Sequence, residues 1–213
     1  MKWSKPEWGI WLTCLFFCAF SIQAQKKVSE ISITYEYKDS AGHETAINTI
    51  YIKGNMVRSE TSNSAYSSVT IYNAETGTAV IFKELSGQKI LIRLSAANWL
   101  DMNKLYQSLQ FMNGSETKNI AGYKCQEAVA KTSSGLEIIV FYTADIIPDN
   151  REYNTKFKNL AGLPLEYTLS NGNYRIEYKV TKINMNPVPA SLFDIPKSGY
   201  REMTYEEGKK TSH

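Results

Sequence analysis

The stretch from Gly122 to Tyr142 constrains the fold of this chain more than any other. Its sequence, GYKCQEAVAKTSSGLEIIVFY, predicts a long β-hairpin that turns at the Ser-Ser-Gly of residues 133–135. The returning arm is apolar at even- and odd-numbered positions alike. One face carries Leu136, Ile138, Val140 and Tyr142, and the other carries Ile139 and Phe141. A strand that is apolar on both faces is covered on both faces. We therefore expect this arm at the centre of a sheet.

Most of the remaining chain also has the pattern of short antiparallel strands. Residues 31–37, 47–53, 56–61, 66–72, 78–85 and 89–95 are rich in β-branched and aromatic residues and are separated by turn residues. Two more strands flank Asn171-Gly172, a strong hairpin signal. The pattern predicts a mainly β fold of roughly ten strands, with one or two helices, in a curved antiparallel sheet or unclosed β-barrel.

The pattern changes after Ser95, which is suited to cap a helix. Trp99, Met102, Tyr106 and Leu109 recur at spacings of three and four, which predicts a helix over residues 96–111. Because this helix follows six strands, we expect it to lie over the concave face of the sheet. Residues 148–160 are consistent with either a short helix or an irregular crossover.

The N-terminus has the parts of a secretory signal peptide. Lys2 and Lys5 precede an apolar run from Trp8 to Phe20, and Ala24 offers a small residue for cleavage. The run is shorter than the ~20 residues of a membrane span, although an uncleaved anchor is the alternative. We therefore expect a signal peptide over 1–24, a single domain over 25–205, a flexible tail over 206–213, and an exported protein, periplasmic or secreted, that is soluble after cleavage.

Composition argues against several classes of function. Lysine and arginine are scattered along the predicted strands, which is not the basic stripe of a nucleic-acid binder. Cys125 is the one cysteine after residue 24, so an intramolecular disulfide is excluded. A buried, inert thiol is the expected state of Cys125, and a reactive or intermolecular thiol is the alternative.

The sequence also offers little for catalysis. The two histidines are His43, in a predicted turn, and His213, the last residue, so a Ser-His-Asp triad or a zinc motif built on histidine is poorly supported. Glu137, Glu166 and Glu177 lie on the polar sides of their strands, which leaves a paired-carboxylate hydrolase as a remote option. We predict a protein that is not an enzyme and holds no metal or cofactor.

The second half contains five short motifs in this order: residues 120–125 (IAGYKC), 141–145 (FYTAD), 162–167 (GLPLEY), 193–196 (FDIP) and 199–203 (GYREM). In these motifs, over about residues 28–205, the chain resembles a group of exported bacterial proteins known as a domain of unknown function. That group is similar in predicted fold to the periplasmic lipoprotein carriers of the Lol system. The resemblance implies an unclosed β-barrel with helices over an apolar concavity, and it transfers no functional residue.

The predicted function follows from a concavity that side chains do not fill. We expect it to bind a lipid, a lipoprotein acyl chain or another apolar ligand, with a lining of Trp99, Met102, Tyr106, Leu109, Ile139 and Phe141. The apolar stripe on the helix has ordinary core packing as its alternative. The alternative function is an envelope protein that binds another protein, with a filled core and no small-molecule ligand.

Overall fold

The computed structural model describes residues 25–39, 45–172 and 174–210 of the 213-residue chain. The predicted signal peptide, the turn that carries His43 and the terminal His213 lie outside these ranges. The described part is mainly β, as predicted, and its large sheet is curved and not closed into a barrel.

Fourteen strands and two α-helices make up the regular structure of the described residues. The strands are β1 (Lys26–Val28), β2 (Glu30–Asp39), β3 (Ala46–Lys53), β4 (Met56–Ser62), β5 (Tyr66–Asn73), β6 (Thr78–Leu85), β7 (Gln88–Leu94), β8 (Met112–Ile120), β9 (Tyr123–Lys131), β10 (Glu137–Thr143), β11 (Ile146–Pro148), β12 (Leu163–Asn171), β13 (Tyr174–Asn184) and β14 (Arg201–Met203). The helices are α1 (Ala96–Met102) and α2 (Tyr205–Lys210), and 3-10 turns form at Lys104–Tyr106, Arg151–Tyr153, Thr155–Phe157 and Ala190–Phe193.

Twelve of the strands form one sheet, in the order β14-β7-β6-β5-β4-β3-β2-β13-β12-β10-β9-β8. Its neighbours are antiparallel except for the parallel pair β14 and β7. The N-terminal strands β2 to β7 form one meander, and β2 joins it to the C-terminal strands by pairing with β13. Strands β1 and β11 form a separate parallel pair.

The sheet curves strongly around its middle strands. Residues of six neighbouring strands, β5 to β12 in sheet order, line a single cavity together with residues 153–156. In a flat sheet these six strands would span roughly 24 Å, which is too wide for one small cavity. We call this face, which carries Tyr37, Ile50, Tyr167 and Tyr178, the concave face.

The turns follow the local sequence. Gly54 has a φ of 53° and begins the two-residue turn between β3 and β4 that the sequence predicts. Ser86 and Gly87 have φ angles of 49° and 77°, which is the type I′ pattern that matches the twist of the hairpin β6–β7.

Helix α1 is shorter than the predicted helix over 96–111, which is a correction to the sequence analysis. Ser95 caps it as predicted, since its Oγ accepts a hydrogen bond from the backbone N–H of Asn98 at 3.2 Å. The helix ends at Met102 because its C-cap residue, Asn103, leaves the helical conformation with a φ of −102° and a ψ of 11°, and Asn103 Nδ2 donates to the carbonyl of Trp99 at 2.9 Å. Residues from Met112 onward form strand β8, which the sequence analysis missed.

Strand β10, the returning arm of the predicted hairpin, lies between β9 and β12. Ile138 and Val140 are fully buried on the concave face, opposite Leu169 and Tyr167. On the other face Phe141 is buried and Ile139 is half-buried. The arm is thus sheltered on both faces, as predicted, although it is the third strand from the β8 edge and not the central one.

The C-terminal segment wraps around the β7 edge of the sheet. On the convex face Phe193, Ile195 and Tyr200 pack against a cluster of Ile71, Phe82 and Leu91. The chain then adds β14 beside β7 and continues into α2, where Gly208 packs against Ile92 on the concave side. Residues 206–210, predicted to be part of a flexible tail, are therefore helical and packed against the sheet. The polar composition of this segment does not indicate these tertiary contacts.

Candidate functional site

A cover of two segments lies over the concave face: residues 96–109 and residues 151–160. Phe157 packs edge-on against Tyr167 with ring centroids 4.8 Å apart, which fixes the second segment to the sheet. Asn159 Nδ2 donates to the carbonyl of Leu109 at 2.8 Å, and Lys158 Nζ donates to Gln107 Oε1 at 2.9 Å. These contacts hold the two segments together as one layer.

Trp99 of α1 marks the boundary between two cavities on this face. Its indole stacks on the ring of Tyr72 with centroids 4.6 Å apart and 17° between the planes. Trp99 lines the cavity on one side of α1, and Met102 lines the cavity on the other side. The concavity is therefore divided, and its two parts differ in chemistry.

The first part, which we call the apolar groove, has a volume of about 300 Å³. Its floor is made by Ile81 of β6 and by Ile92 and Leu94 of β7, all nearly buried. Met102 forms part of its wall and leaves 41% of its own surface exposed. The aliphatic floor suits a ligand that gains by leaving water.

Charged side chains surround this groove. Lys83, Lys104 and Lys209 contribute three positive charges to the lining, and Asp101 contributes one negative charge. Asp101 accepts hydrogen bonds from Tyr205 Oη at 2.8 Å, Lys209 Nζ at 3.1 Å and Lys104 Nζ at 3.3 Å. These donors lower the pKa of the Asp101 carboxyl to about 2, with the Tyr205 hydrogen bond as the largest cause. Asp101 thereby ties α1 to α2, while Lys83 forms no ion pair with another described residue.

The second part, which we call the tyrosine cavity, has a volume of about 280 Å³. Its aromatic lining residues are Tyr37, Tyr66, Trp99, Tyr153, Tyr167 and Tyr178. Its amide and hydroxyl lining residues are Asn48, Ser59, Thr61, Thr70, Asn103, Asn154 and Thr155. Tyr37, Tyr178 and Tyr167 form a continuous stack with centroid separations of 4.9 and 4.4 Å. This lining offers flat aromatic faces next to many hydrogen-bonding groups.

Lys156 brings a positive charge to the tyrosine cavity. It lies in the 3-10 turn Thr155–Phe157 of the cover, whose start is capped by Asn154, since Asn154 Oδ1 accepts from the Lys156 backbone N–H at 3.3 Å. Its Nζ lies 5.5 Å from the centroid of the Tyr106 ring, within range of a cation–π contact. Burial lowers the pKa of the Lys156 ammonium to about 8.

Two hydroxyls beside Lys156 lack hydrogen-bond partners among the described residues: Tyr153 Oη and Thr155 Oγ1. Both residues are deeply buried, with 7% and 5% of their surface exposed. Burial raises the pKa of the Tyr153 phenol, so it keeps its proton and can donate. A buried hydroxyl without a partner costs free energy, so these two groups are exceptions to the usual pairing of buried polar atoms.

The structure brings together only part of the set that the sequence analysis proposed. Trp99 lines the tyrosine cavity, Tyr106 lies under Lys156, and Met102 lines the apolar groove. Leu109 is buried in the core. Its position is the ordinary core packing that the sequence analysis held as the alternative for the stripe.

Ile139 and Phe141 lie away from both cavities, on the convex face of β10. They pair with Thr168 and Glu166, which lie on either side of Tyr167 along β12. Because side chains alternate along a strand and Tyr167 is on the concave face, these residues are on the convex face. Lys118 Nζ lies 3.7 Å from the centroid of the Phe141 ring and also pairs with Glu166. The two-sided apolar character of β10 therefore reflects cover on each face and does not place Ile139 and Phe141 with the helix residues.

Tyr153, Thr155 and Lys156 are not among the site residues predicted from the sequence. The available signal was a lysine between positions of apolar periodicity, Tyr153, Phe157 and Leu160, in a segment with two asparagines suited to capping. The pattern located the segment, but only the fold shows that it faces six strands.

The described ranges contain no group of three or more His, Cys, Asp or Glu side chains placed to hold a metal ion. They also contain no helix long and apolar enough to cross a membrane.

Comparison with known proteins adds information on the fold. No protein-family model matches the sequence, and no curated protein is significantly similar to it. Among solved structures, PNGF-II superposes with a TM-score of 0.54 and 16% identity over 85% of this chain and 32% of that one. This chain thus spans about a third of the length of PNGF-II.

An uncharacterized conserved protein from Thermus thermophilus superposes with a TM-score of 0.52 and 11% identity, over 83% of this chain and 90% of that one. MucB gives a TM-score of 0.39 at 13% identity, over 79% of this chain and 58% of that one, too low to support an inference. At these identities the similarity concerns the fold alone. The Lol resemblance and its implied function stay predictions.

Proposed function

We propose that this chain is an exported, non-enzymatic binding protein that holds an apolar ligand, a lipid acyl chain, in the apolar groove. The observation that carries the proposal is the floor of Ile81, Ile92 and Leu94, which stays open beneath the wall formed by Met102. Each methylene that leaves water contributes about 0.8 kcal/mol. About ten buried methylenes would supply the roughly 8 kcal/mol that micromolar affinity requires.

The charges around the groove support an amphipathic ligand with a negative head group. Lys104 and Lys209 are tied to Asp101, while Lys83 lines the groove without an ion pair among the described residues. An acyl chain on the aliphatic floor would place its carboxylate or phosphate near this lysine. The arrangement supports the predicted lipid ligand, although Ile139 and Phe141 of the predicted lining lie on the convex face and take no part in it.

The test uses a matched pair of substitutions on α1. Met102→Glu places a charge on the wall of the groove, and Leu100→Glu places the same charge on the same helix outside the lining, at a residue that is 54% exposed. We expect a dansyl-labelled undecanoic acid to bind the wild type and Leu100→Glu, and to bind Met102→Glu at least about tenfold more weakly. Native mass spectrometry of protein purified gently from its own envelope would show whether a lipid co-purifies.

A second function, binding of an envelope protein, is favoured by one observation. Leu100, Met102 and Leu105 are large apolar residues exposed within one short segment of the cover. Such a group is the kind of surface that a partner covers. In that case the fatty acid would not bind, no lipid would co-purify, and Leu100→Glu and Leu105→Glu would weaken the partner's binding as much as Met102→Glu.

A further inference from the structure

We propose that the tyrosine cavity is a second binding site, separate from the apolar groove, for a small hydroxyl-rich molecule that carries an anionic group. The anionic group, a carboxylate or a phosphate, binds at Lys156. The hydroxyls of Tyr153 and Thr155 and the surrounding amide and hydroxyl side chains bind the rest of the molecule.

The positive charge in the cavity indicates that its ligand is anionic. Of the described residues that line it, Lys156 alone is charged, and it forms no ion pair within that part of the chain. Glu152, which is near in sequence, lies 4.0 Å from Lys158 Nζ. A half-buried ammonium without a carboxylate is costly to maintain, and an anion in the cavity would offset that cost.

The unpartnered hydroxyls point to a polar ligand. Tyr153 Oη and Thr155 Oγ1 belong to residues that are more than nine-tenths buried, one on each side of Asn154 in the cover, and neither has a partner among the described residues. Natural proteins rarely leave two such groups unsatisfied in one place. An apolar ligand would leave them unsatisfied, whereas a ligand with its own hydrogen-bonding groups would not.

The opposite wall also matches such a ligand. Asn48 Nδ2 donates to Ser59 Oγ and to Thr61 Oγ1, each at 3.0 Å, so β3 and β4 carry an ordered row of polar groups. The stack of Tyr37, Tyr178 and Tyr167 adds aromatic faces to the same lining. A volume of about 280 Å³ is at the small end of ligand sites, which favours a compact molecule.

The experiment is an amide-resolved NMR titration of the purified protein with three probes: D-glucuronate, D-glucose 6-phosphate and neutral D-glucose. We expect the two anionic probes, at millimolar concentration, to shift the amides of residues 153–156 and of Asn48 and Thr61. Neutral glucose should bind at least about tenfold more weakly, which is the loss of one charge-assisted hydrogen bond. The tighter of the anionic probes distinguishes a carboxylate ligand from a phosphate ligand.

Substitutions identify the groups involved. Lys156→Met should weaken both anionic probes at least about tenfold, and Tyr153→Phe and Thr155→Val should each weaken them severalfold. Lys158→Met is the matched control, because Lys158 contacts Gln107 and does not line the cavity. Equal binding of glucose and glucuronate, equal binding to wild type and Lys156→Met, or no shift of these amides by any probe would overturn the proposal.

The fatty-acid titration keeps the two proposals separate. Met102→Glu should leave the anionic probes unaffected, and Lys156→Met should leave the fatty acid unaffected. If the wild-type protein bound the fatty acid but not the anionic probes, only the proposal for the tyrosine cavity would be overturned. The reverse result would overturn only the proposal for the apolar groove.

Discussion

Asp101 accepts a hydrogen bond of 2.8 Å from the phenol of Tyr205, and this contact joins α1 to the C-terminal helix α2. Lys209 Nζ donates to the same carboxylate oxygen at 3.1 Å. Because α2 is only six residues long, it is too short to be stable alone, and its position depends on such contacts. Asp101 therefore helps to hold α2 beside the apolar groove, together with the packing of Gly208 against Ile92.

This carboxylate makes the stability dependent on acid pH. Hydrogen bonds from Tyr205, Lys209 and Lys104 lower the pKa of Asp101 from 3.8 to about 2. Since the folded-state pKa lies below the unfolded one, the contribution is fully present above pH 3.8 and is lost as the pH falls through about 2. We expect Asp101→Asn to reduce the fall of the urea midpoint over this range. Tyr205→Phe should give a smaller reduction, and an unchanged profile in Asp101→Asn would contradict the assignment.

Gly162 is where backbone approaches backbone most closely among the described glycines. A Cβ there would lie 2.0 Å from the carbonyl oxygen of Thr143, which cannot move without disturbing β10. We expect Gly162→Ala to destabilise the protein by about 3 kcal/mol, measured by chemical denaturation. Gly114→Ala is the matched control, because its Cβ would meet the side chain of Glu127 at 2.1 Å, and that side chain can rotate away. Equal losses in the two variants would count against this explanation.

Removal of the phenol hydroxyl should affect stability differently at two buried tyrosines, Tyr35 and Tyr153. Tyr35 Oη donates to the carbonyl of Pro164 at 2.7 Å, so Tyr35→Phe leaves a buried acceptor unpaired and should cost about 1–3 kcal/mol. Tyr153 Oη has no partner among the described residues, so Tyr153→Phe should leave the stability of the ligand-free protein unchanged or slightly raised. Thermal unfolding of both variants measures the difference. A comparable loss in Tyr153→Phe would mean that its hydroxyl is already paired.

Cys125 should be chemically inert in the folded protein. Its side chain is fully buried, and desolvation, as the largest cause, raises the pKa of the thiol to about 11. Since thiolate is the reactive form, we expect no modification by iodoacetamide at pH 8 until urea unfolds the chain. Mass spectrometry before and after unfolding measures this. Rapid labelling of the native protein would instead favour the reactive thiol that the sequence left as an alternative.

The strands and their turns could be predicted from the sequence because each rests on local chemistry. The meander from β2 to β7 follows period-two alternation and residues suited to tight turns, such as Gly54 and Gly87. The length of α1 could not be predicted from its spacing, since Tyr106 and Leu109 continue the helical period after Asn103 has ended the helix. The helix ends where the backbone of Asn103 leaves the helical conformation, which the spacing of apolar residues does not encode.

The candidate sites depended on contacts between distant segments and were predictable only in part. Trp99 and Met102, two residues of the predicted lining, lie on opposite sides of α1, each beside a different cavity. Their part in ligand binding stays a prediction. That Lys156 would meet strands from both halves of the sheet depends on the pairing of β2 with β13, which no local pattern encodes. For the same reason, Ile139 and Phe141 were grouped with a face that they do not share.

The order of the strands has a consequence for folding. All six strands of the N-terminal meander precede β8 in the chain, so they can form hairpin by hairpin while the C-terminal half is still being made. Until Tyr178 pairs with Tyr37, β2 is an open edge that carries a full row of unpaired amides and carbonyls. Strand β2, the segment most exposed to mispairing with other chains during synthesis, therefore ends up between β3 and β13 inside the finished sheet.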